Sequence, residues 1–310
     1  MTLQQLQYIV ALDNHRHFVK AAESCHVAQP TLTLQVKKLE DQIGVALFDR
    51  STKPLKPTSI GTLFIVKARQ ILREIQQLKE LVNNQLSQVE GTFKIGIIPT
   101  LAPYLLPKFL GNFAESFPNT RLEILEMQSE YIIKSLKHDL IDIGLLATPL
   151  KENDIREIPL FYEPFLIYSN RENPILEKGK NIRSDELKPE GLWILGQGHC
   201  FRNQTLNVCD FDPLEDDRNF NIEGGSIETL KNMIEQSEGY TLIPELSYKP
   251  KQEKSNVIRF SEPQPVREIS LAVHKNFTKE QLLVELRKSI ISAVPDSFSK
   301  NKRFITVNWR

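Results

Sequence analysis

The sequence predicts an α/β protein in three parts: a small helical head, one long helix, and a larger body of alternating strands and helices. Three observations lead there. Apolar residues recur at three- and four-residue spacing through the first 58 positions. A continuous apolar seam then runs from Ser59 to Gln88. From Gly91 onward, strand-like and helix-like segments alternate, as they do where a sheet is covered by helices.

In the head, Leu3, Leu6, Ile9 and Val10 are followed, past a polar break at 13–17, by Phe18, Ala21 and Ala22. The next helix runs from Val27 to Glu40. Pro30 suits its first turn, where a missing N–H costs nothing, and Leu32, Val36 and Leu39 form its inward face. The other face presents Gln29, Thr31, Thr33, Gln35 and Lys37, groups able to meet base edges or phosphates, with almost no acid before Glu40. Two helices joined by the turn at 24–27 predict a helix-turn-helix, its second helix entering the major groove of double-stranded DNA. Leu47 to Thr58 predicts a short basic hairpin in which Arg50, Lys53 and Lys56 grip phosphate. Cys25 lies in the turn, where a small buried residue is expected. His15, His17, Cys25 and His26 lack the spacing and the partners of a structural zinc cluster, so neither a metal nor another cofactor is predicted.

Within the long helix, Phe64, Ala68, Ile71, Ile75, Leu78 and Val82 alternate steps of four and three, with Lys, Arg, Glu and Gln around them. A seam that nothing else in the chain covers implies a partner helix and hence a homodimer. Packing against the chain's own domains is the alternative. In the body, strands are predicted at Phe93–Ile98, Arg121–Glu126 and Ile141–Leu146, and helices at Leu101–Phe117, broken by Pro103 and Pro107, and at Tyr131–His138. This repetition predicts a mostly parallel sheet.

Two of the three cysteines fall in the twelve residues from Gly198 to Cys209. A thiol reacts as its thiolate, and cationic His199 and Arg202 are expected to lower the pKa of Cys200, making it the better nucleophile. Cys209 is followed by Asp210 and Asp212, which raise a thiol pKa and fit a resolving partner that attacks an oxidised Cys200. If the stretch between them is helical, nine steps of about 1.5 Å hold the cysteines roughly 13 Å apart. A disulfide needs alpha carbons within roughly 7 Å. Bridging would therefore unwind the helix, so that oxidation acts as a conformational switch. The acid-rich stretch from Asp210 to Asp217 is expected to be a solvated loop.

Composition sets limits on the reading. Hydrophobic content of 40% and charged content of 25% are those of an ordinary globular protein. The 39 basic and 39 acidic residues cancel, so a nucleic-acid surface must come from local placement. No run is apolar and long enough to cross a membrane, and the opening residues lack a signal-peptide pattern, so a cytoplasmic location is expected.

Ala21-Ala22, the Gln29-Pro30-Thr31-Leu32-Thr33 run, Gln35, Leu39-Glu40, Gly44, Leu47-Phe48 and Arg50 together resemble the winged helix-turn-helix of LysR-type transcriptional regulators. In that family Thr33 is more often serine, and many members have arginine where this chain has Leu34. The resemblance implies DNA contacts by Gln29, Pro30, Thr31, Thr33, Gln35, Lys37, Arg50 and Lys53. It also implies a linker helix that pairs two reading heads on promoter half-sites, and a regulatory part with two lobes like those of periplasmic binding proteins. The domains it implies are a DNA-binding head at 1–58, a dimerisation helix at 59–90 and a regulatory domain at 91–310. Lobe one of that domain is 91–161 with 267–310, and lobe two is 162–266.

The run Gly198, His199, Cys200, Arg202, Gln204 and Cys209 is similar to the OxyR branch of this family specifically, as are Ile97 to Thr100, Pro103 to Pro107 and Ser226 to Met233. That resemblance implies a hydrogen peroxide sensor rather than an enzyme, with Cys200 peroxidatic and Cys209 resolving. Thr100 and Ser129 would hold peroxide, His199 would polarise the reacting atoms, and Arg202 would stabilise developing negative charge. Most OxyR proteins have threonine where this chain has Ser129. Also implied are a homodimer or homotetramer, recruitment of RNA polymerase at antioxidant genes, and resetting by a thiol reductant such as glutaredoxin or thioredoxin. The competing readings are a LysR-type regulator that binds a small metabolite between its lobes, and a thiol peroxidase. Against the latter, the Pro-x-x-x-Thr-x-x-Cys run of peroxiredoxins surrounds none of the cysteines.

Overall fold

The computed structural model describes residues 1–83, 89–170, 172–175, 181–188, 190–210, 225–236, 238–249, 257–299, 301 and 303–310. The chain divides into two compact units, Met1–Gln88 and Val89–Arg310.

The first unit opens with α1, Leu3–His15. Thr2 and Gln5 cap its start reciprocally, each side chain accepting the other's backbone N–H. Helix α2 (Phe18–Ser24) leads through the turn to α3 (Gln29–Ile43), which carries Pro30 in its first turn and ends at Gly44 in the left-handed conformation, φ 76°. Ile9, Leu12, Ala21, Leu32, Val36 and Leu39 make the core of the three helices. Strands β1 (Phe48–Asp49) and β2 (Lys56–Pro57) pair antiparallel as the expected hairpin. Glu40 anchors that hairpin to α3: one carboxylate oxygen accepts the N–H of Leu47 at 2.8 Å and of Phe48 at 3.3 Å.

Helix α4, Ser59–Asn83, is the long helix; positions 84–88 of the expected span lie outside the described residues. It starts hard against the hairpin, for a Cβ added at Gly61 would stand 1.9 Å from the carbonyl oxygen of Leu47. A buried ion pair between Arg69 and Asp13, 2.8 Å, ties α4 to α1. Here the expectation of an uncovered seam is corrected for its first two residues. Phe64 packs against the head core and Ala68 is only 1% exposed, because α1 lies alongside this half of α4. Further along, Ile71 and Leu78 are exposed, Ile75 is half-buried, and the helical backbone continues through Val82.

The second unit begins with β3 (Gly91–Ile97), α5 (Ala102–Ser116), β4 (Thr120–Glu126), α6 (Ser129–Lys137), β5 (Ile143–Thr148) and β6 (Ile155–Ser169). It continues with β7 (Asn181–Ile182), α7 (Cys200–Cys209), α8 (Ile227–Gln236), β8 (Tyr240–Pro244) and β9 (Val257–Phe260). It closes with β10 (Gln264–His274), α9 (Glu280–Ser292) and β11 (Phe304–Thr306). Helix α5 is continuous where a break was expected. Pro103 sits in its first turn, and Pro107 is carried by a buried face of Ala102, Leu105, Phe109 and Phe113.

The sheet runs β4-β3-β5-β10-β6-β9-β7, with β11 on β10 and β8 on β6. The expectation of a mostly parallel sheet is corrected to a mixed one. Strand β3 is parallel to β4 and β5, but β10 is antiparallel to β5 and β6, and β6 to β8 and β9. The reason lies in two long strands that cross between two cores. Strand β6 carries the chain out of the first core and β10 brings it back, so the two run in opposite directions. Pro164 is the last residue of β6 paired with β10, and Phe165 already pairs with β8. The first core gathers β3, β5, α5, α6 and α9; the second gathers the far end of β6 with β8, β9, α7 and α8.

Candidate functional site

Helix α7 begins at Cys200 and ends at Cys209, so the stretch between the cysteines is helical, the condition on which bridging requires unwinding, and both are free thiols. The two sulfurs are buried in different places: Cys200 belongs to the first core and Cys209 to the second. The approach to α7 is tight. Gly198 has φ 89°, and a Cβ there would meet the side-chain oxygen of Gln128 at 2.4 Å. That contact brings the start of α7 beside the start of α6, whose first residue is Ser129.

Around Cys200 the structure gathers Ser129, Thr100 and a residue that sequence neighbours do not announce, Arg267. Burial pushes the Cys200 thiol up. The Ser129 hydroxyl, the Arg267 guanidinium and the backbone N–H groups of Phe201 and Cys200 pull it partly back. Ser129 is buried, and its hydroxyl has no conventional hydrogen-bond partner. Arg267 is fully buried. Its Nε and Nη2 face Oε2 of Glu163 at 2.9 and 2.8 Å, and Nη1 and Nη2 donate to the hydroxyl and carbonyl oxygens of Thr100 at 2.9 and 3.0 Å. Glu163 completes the arrangement by accepting the N–H of Leu246 at 2.8 Å. Arg267 and Glu163 are cross-strand partners on β10 and β6, where both strands pass between the cores. The guanidinium also stacks on Phe201, 5.3 Å from the ring centroid, and so touches α7 directly.

The expected lowering of the Cys200 pKa by His199 and Arg202 is corrected. Burial pulls the His199 imidazole below its ordinary value, so it is neutral at pH 7 and supplies no cation. Arg202 lies two residues into the helix, and residues i and i+2 do not share a face. Its Nη1 donates to the Leu195 carbonyl at 3.0 Å. For Cys209 the expected direction is found with a different cause: burial pushes that thiol up to about 12. Of the acid stretch, the residues past Asp210 lie outside the described residues.

In the head, Gln29, Pro30, Thr31 and Lys37 are exposed on α3, while Thr33 and Gln35 are half-buried, the latter accepting a hydrogen bond from Gln5 at 3.2 Å. Lys53 and Lys56 are exposed on the hairpin. Arg50 is exposed as well, but its guanidinium pairs with Glu40 at 2.7 Å and lies over Phe18. Cys25 caps α2 in the turn and is half-buried.

Residues 3–62 match the bacterial regulatory helix-turn-helix protein, lysR family, and residues 86–292 match the LysR substrate binding domain. Over 302 residues the chain is 34% identical to the DNA-binding transcriptional dual regulator OxyR of Escherichia coli K12, covering 97% of this chain and 98% of that protein. The chain belongs to the OxyR branch of the LysR family. It is also 37% identical over 273 residues to the hydrogen peroxide-inducible genes activator of Pectobacterium carotovorum, covering 87% of this chain and 89% of that one. Among solved structures, full-length OxyR from Pseudomonas aeruginosa with a cysteine-to-aspartate substitution superposes with a TM-score of 0.79 at 32% identity, covering 95% of this chain and 99% of that chain. A hydrogen peroxide-bound OxyR variant from Corynebacterium glutamicum gives 0.60 at 25% identity, covering 94% of each chain.

For a LysR-family regulator of this branch, the residues that sequence reasoning missed are Arg267 and Glu163. A signal for them was present. Glu163 is the one charge in the apolar run from Leu160 to Tyr168, Arg267 lies with Glu268 in a second strand-like run between Val266 and Ile269, and buried charges of opposite sign pair.

Proposed function

We propose that this protein is a hydrogen peroxide-responsive transcriptional regulator in which Cys200 is the peroxidatic and Cys209 the resolving cysteine. The observation that carries the reading is one helix with a buried thiol at each end, each thiol in a different core. The Cys200 thiolate attacks one peroxide oxygen, giving a sulfenic acid and hydroxide. Cys209 then condenses with the sulfenic acid, forming the S–S bond and releasing water. The guanidinium of Arg267 favours the thiolate and the negative charge leaving with the second oxygen, and Thr100 is held against it. Ser129 presents a buried hydroxyl to the same sulfur. His199, neutral and buried, is a proton carrier rather than a counter-charge. Ten helical residues keep the sulfurs too far apart to bond, so the disulfide forms only as α7 unwinds. That loss of helix, at the junction of two cores, is the switch.

Downstream, refolding alters how regulatory units pair in a homodimer or homotetramer joined through the exposed stretch of α4. The altered pairing resets the spacing of α3 helices on promoter DNA and the recruitment of RNA polymerase. Glutaredoxin or thioredoxin returns the thiols by exchange. With DNA and these reductants as partners, the protein works in the cytoplasm. The domain limits proposed are 1–58, 59–90 and 91–310, with the lobes meeting near Tyr162 and Val266. The test is mass spectrometry of reduced protein after one equivalent of hydrogen peroxide, with alkylation and mapping of all three cysteines. A rapid Cys200–Cys209 disulfide with Cys25 still alkylatable is expected, and Cys209→Ser should keep reactivity at Cys200 while losing the bridge. Thiols untouched after minutes would defeat the reading.

A further inference from the structure

Helix α7 holds something besides its two cysteines. Asn203 Nδ2 donates to the Trp309 carbonyl at 3.2 Å, Gln204 Nε2 to that of Val307 at 3.0 Å, and Asn207 Nδ2 to that of Asn308 at 2.8 Å. Three amide side chains on three successive carbonyls require residues 203, 204 and 207 to lie along one side of a helix. Gln204 is fully buried and leaves its own Oε1 without a partner while its NH2 group serves Val307.

The segment they hold is anchored at both ends. Strand β11 runs parallel to β10, and the N–H of Val307 donates to the Val266 carbonyl at 2.8 Å. Beyond it, Trp309 is buried in the first core with its indole N–H on the Ala147 carbonyl at 3.0 Å. Arg310 grips both oxygens of Glu130 at 2.6 Å, one residue from Ser129. The segment thus lies against α7, touching the second core at Val307 and the first at Trp309. A cavity of about 310 Å³ opens beside them, lined among others by Asn207, Val208, Phe260, Pro265, Ile305 and Val307.

We propose that the segment Val307–Arg310 acts as an internal ligand of the reduced state, docking only on helical α7 and thereby setting how readily the Cys200–Cys209 disulfide forms. The proposal rests on the redox reading above. Once α7 unwinds, residues 203, 204 and 207 no longer share a side, so the three bonds are lost together. A contact made in only one of two states shifts their equilibrium by its own free energy. Weakening the segment therefore favours the disulfide, in the exchange in which two glutathione thiols reduce it to the dithiol and become glutathione disulfide.

The experiment uses the full chain equilibrated in glutathione buffers of graded ratio, then alkylated and quantified by mass spectrometry. Asn203→Ser/Asn207→Ser keeps helix propensity nearly constant but is too short to reach the carbonyls. It should raise the disulfide formation constant roughly tenfold. A chain ending at Thr306 should raise it roughly hundredfold, a potential about 60 mV more negative for this two-electron couple. Hydrogen exchange on the wild type should show the Val307 amide protected in the dithiol form and open in the disulfide form. Formation constants unchanged in both variants, or shifted towards the dithiol, with equal protection in both states, would overturn the proposal while leaving the sensor reading intact. A wild type that never forms the Cys200–Cys209 disulfide overturns both.

Discussion

Replacing Arg267 separates what the buried ion pair does for stability from what it does for the thiol. Arg267→Met removes the cation and leaves the fully buried Glu163 carboxylate with the Leu246 N–H as its remaining described donor, and strips both oxygens of Thr100 of their donors. Breaking a buried pair from one side costs about 3–5 kcal/mol, which for a unit of this size lowers its Tm by roughly 10 °C. Glu163→Gln/Arg267→Met removes both charges while an amide still accepts from Leu246, and should recover most of that loss. Both variants lack the guanidinium that favours the Cys200 thiolate. In both, alkylation of Cys200 should move to higher pH and slow roughly tenfold or more at neutral pH. The assays are thermal unfolding by circular dichroism and the pH profile of alkylation with peptide mapping. If the single variant unfolds at the wild-type temperature, or the double variant alkylates along the wild-type profile, the assignment of Arg267 to Cys200 is wrong.

Other consequences can be measured separately. Gly61→Ala pushes α4 off the hairpin because its Cβ meets the Leu47 carbonyl. A loss of about 1–3 kcal/mol in the head should appear in its unfolding, and an unchanged transition would mean α4 does not seat there. Lys53→Ala, at an exposed position, should leave unfolding untouched but weaken promoter binding and reduce the log–log salt slope by about 0.9. Arg50→Ala should in addition destabilise the head, since Glu40 loses its partner. Cys209 supplies a pH test. Its thiol is pushed from 9.0 to about 12 by burial, so the unfolded chain releases this proton first. Stability should therefore be lost as pH rises from 9 through about 12, by about 1.4 kcal/mol per pH unit. Cys209→Ser lacks this thiol, so the wild-type-minus-variant difference should fall with pH over that range; parallel pH curves would contradict the burial of this thiol.

Much of the molecule was legible because its signals are local. Pro30 and Gly44 bracket α3, and apolar spacing sets the helices of the head. The cysteine spacing carries its mechanical meaning with no tertiary information at all, since helical rise alone sets the separation. The environment of Cys200 was not legible in its neighbours. His199 is neutralised by burial and Arg202 points around the helix, while the acting charge comes from Arg267, far along the chain. Register between β6 and β10 decides that Arg267 meets Glu163, and register is a product of long-range pairing. The same holds for the seam of α4, where α1 claims Phe64 and Ala68 for the head. Sequence by itself determined the helices of the head, the long helix, the first strands and helices of the body and where the paired cysteines lie, because backbone propensity and periodicity act over a few residues. Tertiary structure alone decided which charges are buried together and which thiol pKa values rise, because desolvation and pairing depend on what packs from elsewhere in the chain.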